Sequence, residues 1–115
     1  MNMLNNKNQD SDFLNWLAGF IDGEGCFSII KNGRSCWRTE FAIKLRDDDT
    51  NIINIIHNQL LIGKVRHIKK TELGSPQVSF VIANKSDSLK LVRILDECPL
   101  RAKKKRDYVI WRQAV

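Results

Sequence analysis

No run of about 18 apolar residues occurs in this chain, so no segment can span a bilayer as a helix. The polar, Asn-rich opening from Met1 to Ser11 has no apolar h-region, and no signal peptide is expected there. Cysteine is scarce: Cys26, Cys36 and Cys98 are odd in number, widely spaced and free of any C-x-x-C pair. Neither a disulfide scaffold nor a structural zinc site is expected, and a reduced intracellular setting is. Internal repeats, low-complexity tracts, a Ser-His-Asp grouping and a phosphate-cradling glycine loop are all missing. Of the two histidines, His57 falls mid-helix among apolar residues and His67 points away from Arg66 on its strand, so neither suits catalysis or ligation.

What is present is a small basic domain. The 115 residues make one domain, and a 43% hydrophobic content can build a core. A domain of this size buries about two-thirds of its unfolded surface, which leaves little spare stability for a large unsupported cavity. Nineteen Lys and Arg against thirteen Asp and Glu give a net charge of +6. That charge is segregated. Pro99 to Val115 holds six basic residues and one acid, Ile62 to Lys70 holds Lys64, Arg66, Lys69 and Lys70, and Lys31 to Arg46 holds five basic residues beside Glu40. The acids gather at Asp10 to Glu24, Asp47 to Asp49 and Asp96 to Glu97. A solvated face would show such runs, and so would a polyanion-binding surface.

Turn and capping residues predict the order α-β-β-α-β-β-α-α. Residues 1–12 are expected as a flexible tail and 13–115 as the folded domain, with Asp12 as N-cap of a helix from Phe13 to the Gly23–Gly25 pair. Strands follow over Cys26 to Lys31 and Cys36 to Arg46, around a turn at Asn32-Gly33. A helix after Asp47 to Asp49 carries Ile52, Ile53, Ile56 and Leu60, and Gly63 should end it. Further strands run from Lys64 to Lys70 and, past Gly74-Ser75-Pro76, from Gln77 to Ala83. Ser86 should cap a helix holding Leu89, Val92 and Leu95, which Pro99 breaks, and a last helix presents Tyr108, Trp111 and Val115 on one face. The result is an α+β domain with a four-stranded, mainly antiparallel sheet.

Alternation sets Phe41, Ile43, Leu45, Val65, Val78, Phe80 and Ile82 on a core face of that sheet. The opposite face carries Arg38, Glu40, Ala42, Lys44, Lys64, Arg66, Ile68, Gln77 and Ser79. An antiparallel sheet with such a basic face can enter a DNA major groove and read base edges. In the first helix, Asn15, Ala18, Gly19, Asp22 and Gly23 form a face of small side chains beside the apolar stripe of Phe13, Leu14, Trp16, Leu17, Phe20 and Ile21. Each helical glycine costs about 1 kcal/mol relative to Ala. Close packing inside the chain or against the same helix of a second copy would account for it. Glu24 then stands at the electronegative end of the helix, where a carboxylate is unfavourable unless solvent or a bound cation compensates it.

The stretch Leu17-Ala18-Gly19-Phe20-Ile21-Asp22-Gly23-Glu24-Gly25 resembles the motif of the LAGLIDADG homing endonucleases. Similarity to short single-motif members extends through Phe41 to Asp49, Leu61 to Val65 and Pro99 to Trp111, covering Phe13 to Val115. The resemblance implies the αββαββα fold of that family and a homodimer whose motif helices pack through Ala18, Gly19, Asp22 and Gly23. It implies Glu24 and Gly23 as the metal-binding positions, with Glu24 and Lys103 as the catalytic residues. The implied DNA-binding set is Ser28, Ile30, Asn32, Arg34, Arg38, Glu40, Ala42, Lys44, Lys64, Arg66, Ile68, Lys70, Gln77, Ser79 and Lys104. One position departs from the family: Leu45 stands where some relatives carry a polar residue that holds an active-site water, and Lys44 or Arg46 is the available substitute.

The activity so implied is metal-dependent hydrolysis of both strands of a long, near-palindromic DNA site, as in intron homing. Mg²⁺ is the expected ion, with Mn²⁺ able to substitute and Ca²⁺ supporting binding without cleavage. A divalent ion suits an anionic phosphodiester because it neutralises charge and orients water, and Mg²⁺ takes one or two carboxylates plus waters and phosphate. The expected partners are double-stranded DNA and a second copy, with no membrane and no small-molecule substrate. The expected place is intracellular, in a prokaryotic cytoplasm or an organelle. The alternative is an RNA-splicing maturase or a non-cleaving DNA-binding regulator of the same fold.

Overall fold

Helix α1 (Met3–Glu24) passes without a loop into strand β1 (Gly25–Lys31), and glycine makes that junction possible. A Cβ on Gly25 would lie 2.8 Å from Ile21 Cγ2 and 2.9 Å from the Ile21 carbonyl oxygen, closer than any side chain tolerates. The computed structural model describes residues 3–31, 33–69 and 74–115. After β1 come β2 (Trp37–Arg46), a 3₁₀ turn at Asp47–Asp49, α2 (Thr50–Leu60), β3 (Lys64–Ile68), β4 (Gln77–Ile82), α3 (Lys85–Glu97) and α4 (Lys104–Ala114). The predicted order of elements is the observed one.

The four strands form one sheet in the order β1-β2-β4-β3, every pair antiparallel. Register aligns Phe27, Phe41 and Ile82 in one row of the core face, and Ile43, Phe80 and Val65 in the next. Leu17 and Ile21 of α1, Ile53 and Ile56 of α2, Leu91 and Leu95 of α3, and Tyr108 and Trp111 of α4 bury against these rows. All helices therefore cover one face of the sheet, and the other is left to solvent. Phe27 ties the edge strand to α4, its ring 5.5 Å from that of Tyr108 and 5.2 Å from that of Trp111.

Several boundaries differ from expectation. Helix α1 begins at Met3, so Asp12 lies within it and is not its N-cap, and the expected tail is helical from Met3 onward. That stretch has no Gly or Pro, and lengthening an existing helix gains one hydrogen bond per residue fixed. Helix α2 stops at Leu60 because Leu61 turns left-handed (φ 58°), its N–H returning to the His57 carbonyl at 2.9 Å. Gly63 does not end the helix; it lets the chain pass the Phe80 ring, which a Cβ would approach to 2.8 Å. Asn84, not Ser86, caps α3: its Oδ1 accepts from Asp87 N–H at 2.8 Å, and its Nδ2 donates to Asp87 Oδ2 at 3.0 Å. An acid three residues on makes this a reciprocal cap that Ser86 could not match.

Smaller corrections follow the same logic. Leu89 is exposed, and Leu91 takes the inward position beside Val92 and Leu95. Strand β2 starts at Trp37 rather than Cys36, β4 ends at Ile82 rather than Ala83, and β3 ends at Ile68, leaving Lys69 beyond it. Lys70 and Asn32 lie outside the described residues.

Candidate nucleic-acid and metal site

The open sheet face is built from cross-strand rows. Lys44, Ser79 and Arg66 stand side by side, as do Cys26, Ala42, Val81 and Lys64, then Arg46, Gln77 and Ile68. Towards the hairpin, Ser28 faces Glu40 and Ile30 faces Arg38. Arg38, Lys44, Lys64, Arg66 and Gln77 are exposed, and Arg34 is exposed in the hairpin. Ala42, Ser79 and Val81 are 8%, 2% and 6% exposed although they belong to this face. They occupy the two central strands, where each has a neighbour on both sides, Ser79 standing between Lys44 and Arg66. Arg38 Nη2 lies 3.8 Å from Glu40 Oε2, so these neighbours on one face form a pair.

Leu45 points to the core side in the row of Val78, whereas Lys44 belongs to the open face. Arg46 shares the open face and donates to Ser75 Oγ at 3.4 Å. Neither histidine joins the face. His57 lies half-buried with its ring edge-on to Phe80, and His67 is aligned with Leu45 and Val78 on the core-side parity.

At the end of α1, Glu24 is the exposed last residue of the helix, immediately before the open face begins at β1. Gly23 precedes it, and a carbonyl in the last turn has no partner within the helix. The small-residue side divides in two. Ala18 is buried in the chain's own core, whereas Gly19 and Gly23 are exposed, with no atom within 4 Å of where a Cβ would stand. Asn15, Ala18, Gly19, Asp22, Pro99 and Arg101 line a groove of about 410 Å³ along this side. Trp16 borders the same helix surface at 42% exposure, stacked on Phe20 with ring centroids 5.1 Å apart.

Asp22 has a role its sequence position does not announce. Its Oδ2 accepts from the backbone N–H of Arg101 at 2.8 Å and its Oδ1 from that of Ala102 at 3.1 Å. The basic start of α4 is thereby tied to the end of the motif helix. Lys103 is exposed and Lys104 half-buried there, and Lys103, Lys105, Arg106 and Asp107 help line an open groove of about 690 Å³. Asp96 ties α4 nearer its other end. Arg112 donates to both its carboxylate oxygens at 2.7–3.2 Å, and the Tyr108 hydroxyl donates to Oδ1 at 2.9 Å. The Arg112 bonds hold the Asp96 carboxyl below its ordinary range, and burial, then Asp96 itself, pushes the Tyr108 hydroxyl above its own.

A divalent ion of the Mg²⁺ type takes few protein ligands and fills the rest with water and phosphate oxygen. Among the described residues no cluster of three or more His, Cys, Asp or Glu could hold a metal. The exposed Glu24 carboxylate at the helix end could supply one of the few protein oxygen ligands such an ion takes.

The described residues form an α+β domain in which helices cover one face of a four-stranded antiparallel sheet and basic side chains line the other. Residues 17–115 match the family of the LAGLIDADG endonucleases, and the chain belongs to it. It is 33% identical over 106 residues to "Probable intron-encoded endonuclease Cox1-I1b" of Schizosaccharomyces pombe, covering 89% of this chain and 27% of that protein. It superposes on the LAGLIDADG meganuclease I-AabMI bound to uncleaved DNA with a TM-score of 0.78 and 31% identity, covering 88% of this chain and 35% of the other. On the homing endonuclease I-TnaI the TM-score is 0.75 at 25% identity, covering 87% of this chain and 69% of the other. The chain thus spans about a quarter of the curated relative's length and a third of the meganuclease's.

Proposed function

We propose that this chain acts as a homodimeric, site-specific double-strand DNA endonuclease that hydrolyses phosphodiester bonds with Mg²⁺. The observation that carries the reading is the exposed Glu24 carboxylate at a helix end, set between the open basic sheet and an uncovered Gly19–Gly23 surface. Two copies packed through that surface would bring two carboxylates together and set two sheets in line along one duplex. A two-fold protein reads a near-palindromic site.

In this mechanism Glu24 and the carbonyl of Gly23 would hold the divalent ion. Bound there, the ion would offset the phosphate's negative charge and lower the pKa of water enough to supply a nucleophile near neutral pH. Lys103 stabilises the charge that develops on the phosphate and leaving oxygen. Arg38, Lys44, Arg66 and Gln77 supply donors to base edges, while Lys64, Lys69 and Lys104 meet phosphates. Sequence reading is thus the work of the sheet, and chemistry is the work of the helix ends. The setting is the inside of a cell or organelle, in keeping with the intron-encoded relative. Among the described residues no helix is long and apolar enough to cross a membrane.

The test is incubation of a randomised duplex library with the protein and Mg²⁺, followed by sequencing of cut ends. A recurrent near-palindrome among the products supports the reading. Glu24→Gln keeps the size of the side chain but removes its charge; cutting should fall by orders of magnitude while gel-shift affinity in Ca²⁺ is kept. A gel shift without products from the parent assigns a maturase or regulator instead, and a Glu24→Gln variant that cuts like the parent puts the metal elsewhere.

A further inference from the structure

Asp22 joins two parts of the chain that are 79 and 80 residues apart in sequence. Both of its oxygens are occupied by backbone donors at the entry to α4. Helix α4 has no side-chain cap of its own at Lys103, and its first bonds run from Lys105 N–H to the Ala102 carbonyl and from Arg106 N–H to that of Lys103. Arg101 and Ala102 therefore present N–H groups at the helix entry, where an acid is favoured. The acid comes from α1, two residues before Glu24.

We propose that Asp22 is a positioning residue, a strut that sets the start of α4, and with it Lys103, relative to Glu24. The proposal rests on the endonuclease reading for its catalytic consequence. Asp22 and Glu24 stand about 3 Å apart along one helix axis, so a shift of the α4 entry against Asp22 is a shift of Lys103 against Glu24. A displacement of about 1 Å is enough to cost about a hundredfold in rate. The bidentate engagement also directs the Asp22 carboxylate into its own chain, leaving Gly19 and Gly23 as the uncovered part of the small-residue side.

The test uses Asp22→Asn in the full chain. Its amide oxygen can accept one N–H, but its NH₂ then faces the other donor. Single-turnover cutting should fall about 10- to 100-fold, with DNA affinity in Ca²⁺ and sedimentation as in the parent. In a Lys103→Ala background the same change should cost little more, because a strut acting through Lys103 has nothing left to position. Cutting at the parent rate, a fully multiplicative loss in the double variant, or altered sedimentation would each overturn the strut. Should Asp22→Asn not fold, Ala102→Pro removes one donor from the other side, at a position ahead of the Lys103 N-cap where no helical N–H bond is lost. It should show the same loss of cutting, and parent-like cutting by it overturns the proposal. A parent that cuts nothing removes the nuclease reading on its own. Amide exchange then decides the strut: faster exchange at Arg101 and Ala102 in Asp22→Asn supports it, and unchanged exchange refutes it.

Discussion

Gly19→Ala should change two properties in opposite directions. Gly19 lies within α1, and the space where its Cβ would stand is open, with no atom within 4 Å. Inside a single chain the new methyl clashes with nothing and removes the helical penalty of glycine, so the monomer should gain about 1 kcal/mol. Association should weaken. In a dimer packed through this surface, each complex carries two added methyl groups at the closest approach of the helices, at about 1–3 kcal/mol each. Together that is about 2–6 kcal/mol, or between one and four decades in the dissociation constant at about 1.4 kcal/mol per decade. Gly19→Leu should widen the gap further. Urea unfolding, run at a protein concentration where the variant is monomeric, reads the first effect. Sedimentation across a concentration series reads the second. A variant that gains stability yet associates like the parent refutes the Gly19 contact, and a monomer that loses stability contradicts the open space.

Gly25→Ala should destabilise the chain by about 1–3 kcal/mol in urea unfolding, since its Cβ would press on the Ile21 carbonyl oxygen at 2.9 Å; an unchanged midpoint would show that the α1–β1 junction relaxes freely. Because the folded-state pKa of Asp96 is depressed, chiefly by Arg112, its contribution is present above the unfolded value of about 4 and lost as pH falls through the folded one. The raised Tyr108 pKa acts on the other side, its contribution fading as pH rises above the ordinary phenol value of about 10. Thermal melts should thus fall at both extremes, and Asp96→Asn should flatten the acid flank while reducing the basic one only in part, because burial is the larger cause of the Tyr108 shift. Arg66→Ala should relax base preference at particular positions of the cut site, about 1–3 kcal/mol per lost bidentate contact. Lys69→Ala should instead weaken binding to all sequences and lower the salt slope by about one, and identical behaviour of the two variants would refute readout by the sheet.

The sheet and its faces were legible in the sequence because a strand's side chains alternate strictly. Phe41, Ile43, Val78, Phe80 and Ile82 are fully buried, as their parity required. Helix ends were less so. Asn84 and Ser86 are both good caps, and the choice fell to Asn84 through its pairing with Asp87, whose other contact is the Gly63 N–H of a distant loop at 3.0 Å. Leu61 ends the helix that Gly63 was expected to end, and Gly63, itself left-handed at φ 79°, passes close to Phe80. Ala42 and Ser79 read as interface positions by alternation, yet burial in the sheet centre depends on the lengths of neighbouring side chains across strands.

By itself the sequence determined the order of elements, the two-faced sheet, the basic character of its open side and the helix end that carries Glu24. Each follows from short-range rules of periodicity, steric turn preference and charge, which act within a few residues. Tertiary structure alone decided that Ala18 turns inward while Gly19 and Gly23 stay uncovered. It also decided that Asp22 grips the entry of α4 and Asp96 holds the same helix through Arg112 and Tyr108. These contacts depend on the path of the backbone between them. A carboxylate and an N–H group 80 residues away carry no mutual signal until packing of the helices on the sheet brings them within hydrogen-bond reach.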